Sequence, residues 1–261
     1  MTKPNIKFHS RSHRGKIRKK NQDALAVQEQ LLVAAIADGI GGGAHGDVAS
    51  QLAVDACIDY LSSLENTNPR SPDAVTKELA NAVKFANEAI MTVQANDQRY
   101  QNMGTTLSCF WLKQYLTQGQ ENQQYAYQLH YAWVGDSRIY RIRPAENTIE
   151  QLTEDHTLNP EKMDARQAPK LHQRASSILT QKVGSILLLK PDIGSAPLLT
   201  GDIILACTDG LSDRIEEARL LEYAISHQHH LEKYADHLLE DALDRGGQDN
   251  ISFIVAQLKK N

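Results

Sequence analysis

Four aspartates set at the ends of apolar runs constrain this chain more than any other feature. They are Asp38 in A-D-G-I-G-G, Asp136 in V-G-D-S-R, Asp209 in C-T-D-G-L and Asp249 in G-G-Q-D-N. Three of them follow runs that read as strands, at 31–37, 127–134 and 203–207, and Asp249 stands just before another at 251–258. Strand ends that each deliver a carboxylate beside glycine could converge on one point. Several carboxylates there repel one another unless cations sit between them. Hard oxygen donors of this kind suit magnesium or manganese rather than zinc.

A chain of 261 residues, 41% hydrophobic and 23% charged, has the composition of a soluble globular protein with a sizeable core. Its net charge of -4 gives no global case for nucleic-acid binding. Cys57, Cys109 and Cys207 are odd in number, far apart and set in apolar segments. They read as reduced core thiols, which points to the cytoplasm. The opening M-T-K-P-N-I-K has no apolar signal region, and no run approaches the length of a membrane span.

The periodicity predicts helices at 47–64 and from 71 onward, the second opened by Ser71-Pro72-Asp73 as cap, first-turn proline and first-turn acid. Val75, Leu79, Ala82, Val83, Ala86 and Ile90 give that helix its buried stripe. Short strand runs follow at 105–112, 125–134, 138–143 and 148–152. The third alternates apolar residues with arginines, so one of its faces is expected to be wet. Residues 159–177 are polar and aperiodic and read as a flap over the site. A strand at 202–207, helices at 216–227 and 231–244, a stop at Gly246-Gly247 and a last strand complete the chain. Strand runs bracketed by helix pairs argue for one α+β domain over 1–261.

Each motif also has a reading without function. Arg18 and Asp23 lie in R-K-K-N-Q-D; the arginine could hold a phosphate bidentately, or the segment could be a solvated basic tail. The glycines after Asp38 let a carbonyl approach a cation, or simply form a turn with a capping acid. They are not a dinucleotide loop: the spacing is wrong, and the preceding acid repels phosphate. Gly135-Asp136-Ser137 suits a plain hairpin turn, Thr208-Asp209-Gly210 a helix cap, and Gly247-Gln248-Asp249-Asn250 a tight turn. Zinc is not favoured, since no Cys pair has ligand spacing and no H-E-x-x-H occurs. The His227, His229 and His230 group reads as a solvated helix end.

Taken in order, R-K-K-N-Q-D, A-D-G-I-G-G, M-G-T-T, W-V-G-D-S-R-I-Y, L-T-E-D-H-T-L, I-L-T-Q-K-V-G, G-D-I-I-L-A-C-T-D-G-L-S-D and G-G-Q-D-N-I-S resemble one family. It is the metal-dependent serine/threonine protein phosphatases of the protein phosphatase 2C type, in bacterial form. The resemblance runs from about residue 10 to residue 258. It implies a four-layer αββα sandwich of two antiparallel sheets flanked by helices, with Mn2+ or Mg2+ in a cleft at one end. Asp38 would bridge two cations, Gly39 would offer its carbonyl, and Asp209 and Asp249 would complete the pair. Asp136 would serve a third cation. Arg18 would bind substrate phosphate and Asp23 would hold water by hydrogen bonds. The implied reaction is direct attack of a cation-bridging water on phosphoserine or phosphothreonine, without a covalent phosphoenzyme.

Departures from the family pattern are Gly43 where a histidine is usual, with His45 two residues on, and His13 where an acid is usual. His45 is therefore the candidate acid for the leaving oxygen, and His172 a candidate flap histidine. The implied partners are phosphoproteins and an opposing serine/threonine kinase, and a monomer is expected. Competing readings are a catalytically silent phosphoprotein-binding regulator and a hydrolase of small phosphoesters. Intact Asp38, Asp209 and Asp249 argue against the first.

Overall fold

The central strands are apolar along nearly their whole length, so each needs cover on both faces. The computed structural model describes residues 5–40, 45–64, 71–116, 125–158, 178–185 and 189–259. Its strands form two five-stranded antiparallel sheets. One sheet is ordered β1 (Ile6–His13), β10 (Ile251–Leu258), β9 (Ile203–Cys207), β6 (Arg138–Arg143) and β7 (Thr148–Gln151). The other is ordered β2 (Asp23–Gln28), β3 (Val33–Asp38), β4 (Leu107–Leu116), β5 (Tyr125–Val134) and β8 (Asp192–Leu198). Helices α1 (Gly46–Ser63) and α2 (Pro72–Asn96) pack on the second sheet. Helices α3 (Asp209–Ser212), α4 (Glu217–Ser226) and α5 (Leu231–Asp244) pack on the first.

Side-chain alternation along the strands divides the interior into three cores. Val33, Ala35 and Ala37 of β3 meet α1 and α2, while Ala34 and Ile36 face the opposite sheet. Ile203, Leu205 and Cys207 of β9 meet the other helices, while Ile204 and Ala206 face inward. Three cores separate four layers, the αββα sandwich expected. Strand β10 is buried at every position. Each large apolar side chain buried there contributes roughly 2 kcal/mol.

The helices lie within a residue or two of their expected places. Ser71 accepts a hydrogen bond from the Ala74 amide at 3.2 Å, Pro72 opens α2, and the expected stripe is fully buried. Strands β1, β2 and β8 are not anticipated by the periodicity. All three are sheet edges, and β1 buries only Phe8 in a core, with Ile6 packed half-buried against it.

Two expectations are corrected. The arginines of β6 do not mark a wet face, because Ile139 enters the inter-sheet core while Tyr140 and Ile142 enter the helix side. Arg141 and Arg143 reach across to the Pro197 carbonyl on the other sheet, at 2.9 and 3.3 Å, and so fasten the layers. Gly135-Asp136-Ser137 is not a hairpin turn: β5 and β6 belong to different sheets, and the turn carries the chain between them. Gly135 has φ +108, and a Cβ there would lie 2.6 Å from the Thr106 side chain.

Candidate metal centre

The aspartates meet because the two sheets end together. Asp23 opens β2 and Asp38 closes β3, and the ladder pairs them directly. Asp209 follows β9 at the head of α3, and Asp249 precedes β10, the neighbour of β9. Asp136 lies in the crossing turn. Arg18, Asp38, Gly39, Asp136, Asp209 and Asp249 all line one cleft of about 310 Å3.

Crowding and burial raise the carboxyl groups. Burial, then the charges of Asp23 and Asp209, lifts Asp38 well above the usual carboxylate range. Burial pushes Asp23 up to about 7, against hydrogen bonds from Ser252 and Thr208 that favour its charged form. Asp209 rises to about 6 through burial and the charge of Asp249. Asp136 rises to about 7 through burial and the charges of Asp209 and Asp155. Without cations, this cluster holds protons that free carboxylates would have lost.

The donor set fits hard divalent cations. Asp23 Oδ1 and Asp209 Oδ1 are buried with no hydrogen-bond partner. Among the described residues, no three acidic, histidine or cysteine side chains form a group that could hold one metal ion by themselves. A cation here would therefore take one or two carboxylates and keep much of its water, as magnesium does. Gly39 has a packing reason of its own: a Cβ would lie 2.2 Å from the Gly46 carbonyl oxygen at the start of α1.

Arg18 donates from Nη2 to Asp249 Oδ2 at 2.7 Å, and its side chain is 45% exposed. That hydrogen bond is the largest influence raising its pKa. The basic segment is not a solvated tail. Arg11 lies in β1 and donates to Asp236 of α5 at 2.9 and 2.6 Å. Asn250 clasps the stretch that follows: its Nδ2 donates to the Arg14 and Lys20 carbonyls at 2.9 Å each, and its Oδ1 accepts from the Gln22 amide at 2.8 Å. His13 accepts from the Gly15 amide at 2.9 Å through Nδ1, shaping the turn.

His45 is not brought to the cleft. It precedes α1 with φ 76, and its ring stands edge-on to Tyr100 at 4.7 Å. It is absent from the residues that line the cavity. The expected flap at 159–177 with His172, and Gly41 to Gly43, lie outside the described residues.

Several supporting residues were not singled out from sequence. Thr208 Oγ1 donates to Asp23 Oδ2 at 3.0 Å. Thr106 Oγ1 accepts from the Asp38 amide at 2.9 Å and bonds Ser137 Oγ at 2.7 Å. Asn250 and Thr208 each adjoin a quoted aspartate, and that adjacency was the available signal.

Fold and cleft together define a carboxylate-lined αββα sandwich. The chain belongs to the protein phosphatase 2C family, whose model matches residues 10–245. It is similar to the serine/threonine protein phosphatase PstP of Mycobacterium tuberculosis, 34% identical over 257 residues, which are 97% of this chain and 45% of that protein. The chain thus spans about half the length of this curated relative. The serine/threonine phosphatase stp of Listeria innocua is 29% identical over 253 residues, covering 95% of this chain and 94% of that protein. A solved catalytic domain of PstP in complex with two manganese ions superposes with a TM-score of 0.72 at 28% identity, covering 98% of this chain and 99% of that one.

Proposed function

We propose that this chain is a metal-dependent protein serine/threonine phosphatase that hydrolyses phosphoserine and phosphothreonine in proteins. The observation that carries the reading is the gathering of Asp38, Asp136, Asp209 and Asp249 in one cleft with Arg18. Asp38, Asp209, Asp249 and the Gly39 carbonyl would hold two cations, and Asp136 a third. Manganese is supported by the two ions in the PstP domain; magnesium meets the same donor chemistry. When bound, the cations supply an activated water at neutral pH and offset charge on the phosphoryl group.

The chain's own side chains do the rest. Arg18 leaves Asp249 to grip the phosphate, a move its exposure permits. Asp23 does not itself line the cleft, but it stands beside Asp38 in the ladder, and its Oδ1, buried without a protein partner, is an acceptor that would orient the attacking water. We assign no acid role to His45, which packs on Tyr100.

The whole of 1–261 acts as a single domain in this reading, which the match over 10–245 supports. Phosphoproteins as substrates accord with the relatives' names, and the opposing partner in this reading is a serine/threonine kinase, which such substrates require. A reducing compartment such as the cytoplasm accords with three free, buried cysteines. Among the described residues, no helix is long and apolar enough to cross a membrane.

The deciding experiment follows phosphate release from a phosphothreonine peptide with manganese, with magnesium and after exhaustive chelation. Turnover should require the cation. Undiminished turnover without metal would sink the reading, and activity confined to p-nitrophenyl phosphate would favour a small-phosphoester hydrolase.

A further inference from the structure

We infer that His156 is a positioning residue for this cleft: it holds the turn that presents Asp136 and ties that turn to the wall bearing Leu179. The inference rests on the phosphatase reading, since it concerns how the same cleft keeps its shape.

The hydrogen bonds fix the state of the ring. The Gly135 amide can only donate, and it meets His156 Nδ1 at 3.1 Å. Nδ1 therefore accepts, so the ring proton sits on Nε2, which donates to Asp192 Oδ2 at 2.9 Å. The backbone reciprocates, the His156 amide donating to the Gly135 carbonyl at 3.0 Å. The ring is 8% exposed and stacks on Trp133 at 5.9 Å. Trp133 is itself held by a bond from its indole to the Glu154 carbonyl at 2.9 Å. Asp192, at the start of β8, lies opposite Trp133 in the ladder.

The other side of His156 leads to the cleft wall. Its carbonyl accepts from the Thr180 amide at 2.7 Å, and the Leu158 amide donates to the Ile178 carbonyl at 3.0 Å. Between these bonds, Thr157 pairs with Leu179, which lines the cleft. One residue thus joins the Asp136 turn, the Leu179 wall and an edge strand.

The turn needs such a fastening. Gly135 has no side chain to anchor it and sits at φ +108 against Thr106. Beyond Asp136, Ser137 is pinned through its hydroxyl to Thr106 and through its carbonyl to the Ser108 hydroxyl, each at 2.7 Å. Before Asp136, the imidazole supplies the matching anchor. A buried amide left without its acceptor loses enough stability for the turn to prefer another position.

The test compares His156→Leu, His156→Asn and Asp192→Ala with the wild type. Asparagine places an acceptor near the position of Nδ1, whereas leucine fills space only. Amide exchange at Gly135 is read by NMR on metal-free protein, and the manganese dependence of phosphopeptide turnover is read separately. His156→Leu should speed Gly135 exchange at least tenfold while leaving β10 amides unchanged. It should also raise several-fold the manganese needed for half-maximal rate, with no further rise in an Asp136→Ala background. His156→Asn should recover most of both effects, and Asp192→Ala should show the same changes more weakly. Wild-type exchange and manganese dependence in a folded His156→Leu protein would overturn the inference, as would equal damage from leucine and asparagine. Should His156→Leu not fold, His156→Asn against His156→Gln decides, because recovery with asparagine alone supports the inference and equal behaviour overturns it. If the wild type is inert toward phosphopeptides, the functional reading fails, while Gly135 exchange still decides the role of His156.

Discussion

Arg18 and the aspartates carry opposite charges into one cleft, so their substitutions should separate cleanly. Arg18→Ala should raise KM for a phosphopeptide roughly tenfold with a smaller change in kcat, because a guanidinium grips phosphate in ground and transition states alike. Steady-state kinetics checks this, and an unchanged KM would leave Arg18 as a partner of Asp249 only. Asp38→Ala should lower turnover by about two orders of magnitude or more, the scale of losing a preorganised electrostatic group. Asp136→Ala should lose less, with manganese titration of both variants as the measurement. The residue scale was largely legible: every aspartate singled out by its strand-end context lines the cleft. His45 was not, because sequence distance to Asp38 says nothing of where a ring turns once it packs on Tyr100.

Elements became legible in proportion to how far their two faces are buried. β9 and β10 carry apolar side chains to both the helix side and the other sheet, so each reads as an unbroken run. β1, with a single fully buried residue, reads as polar and is held by its pairing to β10. That pairing brings the basic segment to the site, where Asn250 holds it. Asn250→Ala removes three hydrogen bonds to backbone groups of the 14–22 stretch. The expected cost is about 2–4 kcal/mol of stability, three bonds at roughly 1 kcal/mol each. Urea denaturation measures it, and Arg18-dependent phosphopeptide binding should weaken in parallel.

Across the whole molecule, the clustered carboxyls make stability depend on pH and on metal together. Asp23 and Asp136 are held near 7 and Asp209 near 6 in the folded protein. The unfolded chain has these groups near 4, at roughly their reference value. The folded state therefore binds more protons between about pH 4 and 7, and metal-free stability should fall as pH rises through that window. Cations take the place of those protons, so manganese should raise Tm more at pH 7.5 than at pH 5. At a hundredfold excess over Kd the gain is about 2.7 kcal/mol, or roughly 5–10 °C. Differential scanning fluorimetry at the two pH values, with and without manganese, reads the difference; equal shifts would mean that the carboxyls do not share the cations.

The helices, the doubly buried strands and the identity of the converging acids can all be read from short stretches of chain. Those features follow from local periodicity and from the chemistry of a carboxylate beside glycine. Which strands share a sheet is set by long-range packing. That packing turned Gly135-Asp136-Ser137 from a hairpin turn into a crossing between sheets. It also decided that the β6 arginines fasten the two layers and that His45 faces Tyr100. Each of these depends on contacts between residues far apart in the chain, and such contacts are set by closing two sheets over a common core rather than by any local run of residues.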